Sequence, residues 1–160
     1  MQKILRLPEA AESGAATPDA ALLTQTEFLA DPGRYTSDGA QVGVRVAPAD
    51  RVEELAPQLA HVALVAIEFP GPGEGRGYTY ARLLRQRYGF KGEIRAVGPA
   101  VKQDLLFFMV RCGFDAFDLA PGQNLMEARQ ALGRFTLAYQ PAVPRAAVRE
   151  PRFTDARGQA

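Results

Sequence analysis

The run Val62-Ala63-Leu64-Val65-Ala66-Ile67-Glu68-Phe69-Pro70-Gly71-Pro72-Gly73-Glu74-Gly75-Arg76-Gly77-Tyr78-Thr79-Tyr80-Ala81-Arg82-Leu83-Leu84-Arg85-Gln86-Arg87-Tyr88 decides the fold. Ala63 to Phe69 reads as a buried strand and Tyr78 to Tyr88 as a helix. The proline- and glycine-rich stretch between them is a strand-to-helix turn, the joint of a βα unit. Such a turn frees backbone N–H groups at a helix start, where the helix dipole favours an anion. Arg76 adds a charge and a planar donor fork.

The same alternation extends on both sides. Upstream, Val42 to Val46 is strand-like and Ala49 to Leu59 helical. Downstream, Glu93 to Val97 is a strand and Ala100 to Cys112 a helix. Phe114 to Leu119 is a strand, followed by a helix over Leu125 to Phe135 with Asn124 as N-cap and Glu127 three residues later. Tyr88-Gly89-Phe90 and Cys112-Gly113-Phe114 both put glycine at the left-handed position that ends a helix. Four βα units in series predict an α/β domain with a small parallel sheet, arranged like half of a (β/α) barrel. A doubly wound, flavodoxin-like sheet is the alternative. This domain spans residues 41–139. Residues 1–40 form an N-terminal extension in which Ile4, Leu5 and Leu7 suggest a strand. There Thr24 with Glu27 makes a capping box for a short helix ending near Asp31-Pro32-Gly33. Residues 140–160, with three prolines and few large apolar side chains, are expected to be a disordered tail.

Composition narrows the classes. The chain has 160 residues, 47% hydrophobic and 23% charged, with a formal net charge of +1. That balance argues against polyanion binding by bulk charge. No apolar run approaches the roughly 20 residues that span a bilayer. Met1 to Ala16 is broken by Pro8, Glu9 and Glu12 and does not read as a signal peptide. The expected location is cytoplasmic. A single cysteine, Cys112, excludes an internal disulfide. Its place at the end of an apolar helix reads as an inert buried thiol. His61 is the only histidine, so no metal site is predicted.

Three groups are candidate sites. Gly75, Arg76, Gly77, Tyr78 and Thr79 could bind a small oxyanion, or the turn could need glycine only for its backbone conformation. It matches neither the P-loop nor the dinucleotide fingerprint. Arg45, Glu68, Arg95 and Asp118 fall in successive strands, near the edge where α/β sheets bind ligands. They read as a structural ion network, which is compatible with a polar pocket. Leu105 to Val110 is apolar around a whole helix, so Phe107, Phe108 and Met109 are candidates for an interface. The cover could be the N-terminal segment, a second copy making a homodimer, or a partner protein; a protein interface is favoured over pure core, because a domain this small has few layers to bury a helix on all sides. Arg82, Arg85 and Arg87 make the second helix of the βα series basic, either as a solvated face or as a surface for an acidic partner.

The runs Glu74-Gly75-Arg76-Gly77-Tyr78, Ala81 to Arg85, Tyr88-Gly89-Phe90, Arg95-Ala96-Val97-Gly98 and Arg111 to Asp115 resemble the bacterial family filed as domain of unknown function 934. The resemblance covers about Val42 to Tyr139. Members commonly carry an oxidoreductase label tied to sulfite reduction and accompany the sulfite/nitrite reductase hemoprotein of sulfate assimilation. The resemblance therefore implies an accessory protein with that hemoprotein as partner. The alternative is an oxidoreductase whose cofactor carries a phosphate, such as a flavin. No catalytic residue carries over. Aspartate usually stands in the family where this chain has Glu74 and Pro99; the second change removes a carboxylate.

Overall fold

The computed structural model describes residues 4–7, 22–36, 42–134 and 142–143. Its strands are β1 (Ile4–Arg6), β2 (Leu23–Thr24), β3 (Val42–Val46), β4 (Val62–Glu68), β5 (Glu93–Val97) and β6 (Ala116–Asp118). Its α-helices are α1 (Gln25–Ala30), α2 (Pro32–Thr36), α3 (Arg76–Arg82), α4 (Leu106–Cys112) and α5 (Leu125–Leu132). One sheet holds all six strands in the order β1-β6-β5-β4-β3-β2. From β2 to β6 every neighbouring pair is parallel. β1 closes the far edge antiparallel to β6. This is the α/β fold expected.

The order of the parallel strands never reverses. A doubly wound sheet would change direction at a switch point; here each unit is laid beside the last, as in part of a (β/α) barrel. Because βα crossovers are right-handed, sequential winding puts the helices on one face. Consistently, α3 packs on α4 and α4 on α5. That face carries Val44, Val46, Ile67, Ile94 and Phe117, all buried, against Leu84, Leu106 and Met109. β4 lies near the middle of the sheet, and Val62 to Ile67 are all buried. Gly77 lets α3 close on it, since a Cβ there would stand 2.5 Å from the Phe69 ring.

Local chemistry explains where elements start and stop. Thr24 caps α1 with a full capping box, Thr24 accepting from the Glu27 N–H and Glu27 from the Thr24 N–H. Asn124 Oδ1 accepts from the Met126 and Glu127 N–H groups at the head of α5. Gly89 (φ +63°) and Gly113 (φ +108°) take the left-handed conformation after their helices. The segment expected to be an α-helix over Ala49–Leu59 is instead a 3-10 helix over Val52–His61. Pro57 sits inside it and has no N–H for an α-helical bond. The helix expected over Ala100–Cys112 starts only at Leu106, after a turn over Gln103–Leu105.

α3 has one irregularity. Leu83–Arg87 continues it as a π turn, with the Tyr88 N–H bonded to Leu83 O, five residues back. This turn points Arg85 inward. Its guanidinium reaches Gly113 O at 3.1 Å, Phe90 O at 2.7 Å, Gly92 O at 2.8 Å and the carboxylate of Asp115. Asp115 also accepts from the Ile94 N–H at 2.8 Å. One side chain thus joins the end of α3, the end of α4 and the entries to β5 and β6.

In the C-terminal segment expected to be disordered, Val143 is buried and its N–H donates to Arg111 O at 2.9 Å. The rest of the expected tail, and Phe135 of the last helix, lie outside the described residues. No helix among the described residues is long and apolar enough to cross a membrane.

Removing one partner of a buried ion pair costs about 3–5 kcal/mol. Arg85→Ala should lower the unfolding free energy by about that amount in urea denaturation. Arg85→Lys should recover less than half, because one ammonium cannot span the same four acceptors.

Candidate functional site

The glycine-rich turn precedes α3 as expected. Its own residues occupy it. Glu74 Oε1 accepts from the Arg76 N–H at 2.9 Å and lies 3.6 Å from Arg76 Nε. The guanidinium donates through Nη1 to Pro48 O at 2.8 Å, and the Tyr78 N–H bonds Gly75 O. Arg76 is 64% exposed in its side chain. Tyr80 Oη donates to Pro48 O and Asp50 O at 3.2 and 2.8 Å, so this turn and the loop after β3 are latched together. The helix start does hold a negative group, and it is Glu74. Thr79 is exposed and points away from the turn, into the outer groove of α3. An external anion would have to displace Glu74.

The four charged strand residues do come together on one face. Across the sheet the register aligns Thr24, Arg45, Ala66, Arg95, Ala116 and Arg6 in a single row. Glu68 lies two residues beyond Ala66, and Asp118 two beyond Ala116, hence on the same side. Arginines alternate with alanines, which leaves room for each long side chain to lie along the sheet. Arg45 pairs with Glu68 at 3.2 Å. Arg95 is 1% exposed and joins Glu93 of its own strand at 2.7 Å. Glu93 also accepts from Arg6 Nε at 3.2 Å. Glu93 and Arg6 were not among the sequence candidates. The signal was the period of two, which places Glu93 and Arg95 on the same side of β5.

The apolar helix divides. Met109 is fully buried and belongs to the core, so it leaves the proposed interface. Phe107 is half-buried, edge-on to Phe108 at 5.7 Å, with Arg111 over its ring at 5.6 Å. Phe108 is 55% exposed, and the other large exposed apolar side chains are Leu125 (38%) and Met126 (63%), among the described residues. α4 and α5 both follow parallel strands and pack together, so their N-termini lie at the same end of the sheet. Phe108 in α4 and the first two residues of α5 thus share that end. Leu125 and Met126 are not among the sequence candidates, because the N-cap at Asn124 fixes where the helix starts and not which of its sides faces out. Only the third-residue spacing to buried Ala128 and Ala131 shows that Met126 points away from the core.

A family model described as "Bacterial protein of unknown function (DUF934)" matches residues 43–153. This chain belongs to that family. No curated protein and no solved structure matches it. Three of the five runs that carry the DUF934 resemblance now have a physical role: Arg85, Phe90, Gly113 and Asp115 all meet in the largely buried guanidinium network. Those motifs hold the scaffold together.

Two titratable groups lie at the α3–α4 seam. Burial pushes the Cys112 thiol above its ordinary range, against the opposing pull of Arg82 and Arg111. Burial likewise raises Tyr78, helped by the charges of Cys112 and Asp104. A raised pKa leaves less thiolate at a given pH. Cys112 should therefore react with iodoacetamide several-fold more slowly than a free thiol at pH 8.5, gaining speed only at higher pH. The pH profile of alkylation, followed by mass spectrometry, checks this. Among the described residues no three His, Cys, Asp or Glu side chains are placed to hold a metal ion.

Proposed function

We propose that this DUF934 protein is an accessory factor of assimilatory sulfite reduction that works by docking on the sulfite/nitrite reductase hemoprotein. The observation that carries the docking is the exposure of three large apolar side chains, Phe108, Leu125 and Met126, on two helices that pack together. Single exposed apolar residues need no explanation, but several large ones on two packed helices fit a contact surface. The choice of partner comes from the family resemblance. Aromatic anchors dominate such contacts, so Phe108 is the expected hot spot, supported by the edge-on ring of Phe107.

The second reading, a flavin-dependent oxidoreductase, would place the cofactor phosphate at the glycine-rich turn. There Glu74 already holds the Arg76 amide, which favours the docking reading. A small oxyanion at the same turn meets the same competitor.

Purified chain should co-purify with the hemoprotein, and Phe108→Asp should weaken capture by about 30-fold or more, the loss typical of an aromatic hot spot. Because Phe108 is largely exposed, the variant should keep its melting temperature. Met126→Asp should weaken capture as well. Full capture by both folded variants would overturn the assignment of the surface. No capture of the hemoprotein by the unmodified chain would overturn the partner. A flavin absorption spectrum in the purified protein would favour the second reading.

A further inference from the structure

The outer side of α3 carries a second surface, distinct from the apolar cluster. Thr79, Arg82, Leu83, Gln86 and Arg87 line an open groove of about 370 Å³. Among the described residues no acidic side chain lines it. Arg85, which the sequence groups with Arg82 and Arg87 as one basic helix, is turned inward by the network described above. Arg82 and Arg87 remain outside, exposed, and make no ion pair among the described residues. Arg87 lies over the Tyr88 ring at 5.8 Å, which fixes its stem against the helix end.

The π turn sets their spacing. In a helix of about 3.6 residues per turn, positions five apart diverge around the axis. A turn closed by a bond five residues back brings such positions closer to one line. Arg82 and Arg87 bracket that turn, with half-buried Leu83 between them in the groove. Arg82 is also felt at the Cys112 thiol together with Arg111 of α4, so positive charge extends to the α3–α4 seam.

The geometry points to a docking groove for an acidic amphipathic protein helix, whose carboxylates meet Arg82 and Arg87 and whose apolar side chain covers Leu83. Charge complementarity selects the acidic partner. Guanidinium forks pair with carboxylates in fixed geometry, and the five lining residues make one continuous face of α3 and its π turn against which a second helix can pack. A nucleic acid is disfavoured by a net charge of +1 over the whole chain and by the apolar residue at the centre of the groove. This site does not rest on the hemoprotein assignment.

The test uses the full chain and two fluorescein-labelled 20-residue helical peptides. One carries Glu on either side of a central Leu, and the other has Lys in place of each Glu. A labelled single-stranded DNA 20-mer is the third probe. The unmodified chain should bind the Glu peptide at least tenfold more tightly than the Lys peptide, and about tenfold more weakly at 300 mM than at 25 mM salt. The double variant Arg82→Glu/Arg87→Glu should reverse the peptide preference while melting at the same temperature. Phe108→Asp should leave Glu-peptide binding unchanged. The proposal is overturned by equal binding of both peptides, by an unreversed preference in the folded double variant, or by loss of binding in Phe108→Asp. Binding of the DNA more tightly than the Glu peptide would overturn it in favour of a nucleic-acid surface.

Discussion

The guanidinium of Arg85 meets three backbone carbonyls and the Asp115 carboxylate at the point where two helices end and two strands begin. Carbonyls at the end of a helix have no partner within it, and a buried end must find donors elsewhere. A planar group with five N–H donors can serve several at once, which an ammonium cannot. The rest of the βα succession depends on this joint. Gly113 must be glycine there twice over: its φ is +108°, and a Cβ would stand 2.7 Å from Arg85 Cγ. Gly92 is constrained by space alone, since a Cβ would lie 2.4 Å from Ala63 O. Sequence motifs shared by a family often invite a search for chemistry; here several of them are the hardware of one internal joint.

The two faces of the sheet use different physics. The helix-covered face is apolar and close-packed around β4, so its stability comes from area removed from water. The opposite face bears arginines and carboxylates in register. Its Arg45–Glu68 pair is half in solvent and contributes little to stability. Buried Arg95 with Glu93 is a different matter, because leaving either charge alone would be expensive. The alternating Arg and Ala row is a packing solution, in which long aliphatic stems fill the space above small neighbours.

Much of this architecture was legible in the residues. The apolar run at β4 and the glycine stops after α3 and α4 announced βα units, and the capping residues Thr24 and Asn124 marked helix starts to the residue. What could not be read had identifiable causes. Pro57 converted an expected α-helix to a 3-10 helix, a local breaker outvoted in the apolar pattern. The π turn after Arg82 left no mark in composition, yet within it Arg85 faces in while Gln86 and Arg87 face out. In the glycine-rich turn, charge and helix start were both seen, but not that Glu74 would satisfy the amide itself. Short-range hydrogen bonds of this kind depend on one rotamer, which no spacing rule encodes.

The pairing of β1 with β6 has a further consequence. Ile4 sits opposite Asp118, so the first strand finds its place only beside the last. During synthesis the opening residues leave the ribosome more than a hundred positions before their neighbour exists. The intervening units rest on contacts close in sequence and can consolidate early, whereas sealing this edge waits for β6. Strand β1 therefore docks late although it is made before its partner, and until it does, the outer margin of β6 is open to pairing with any other extended strand.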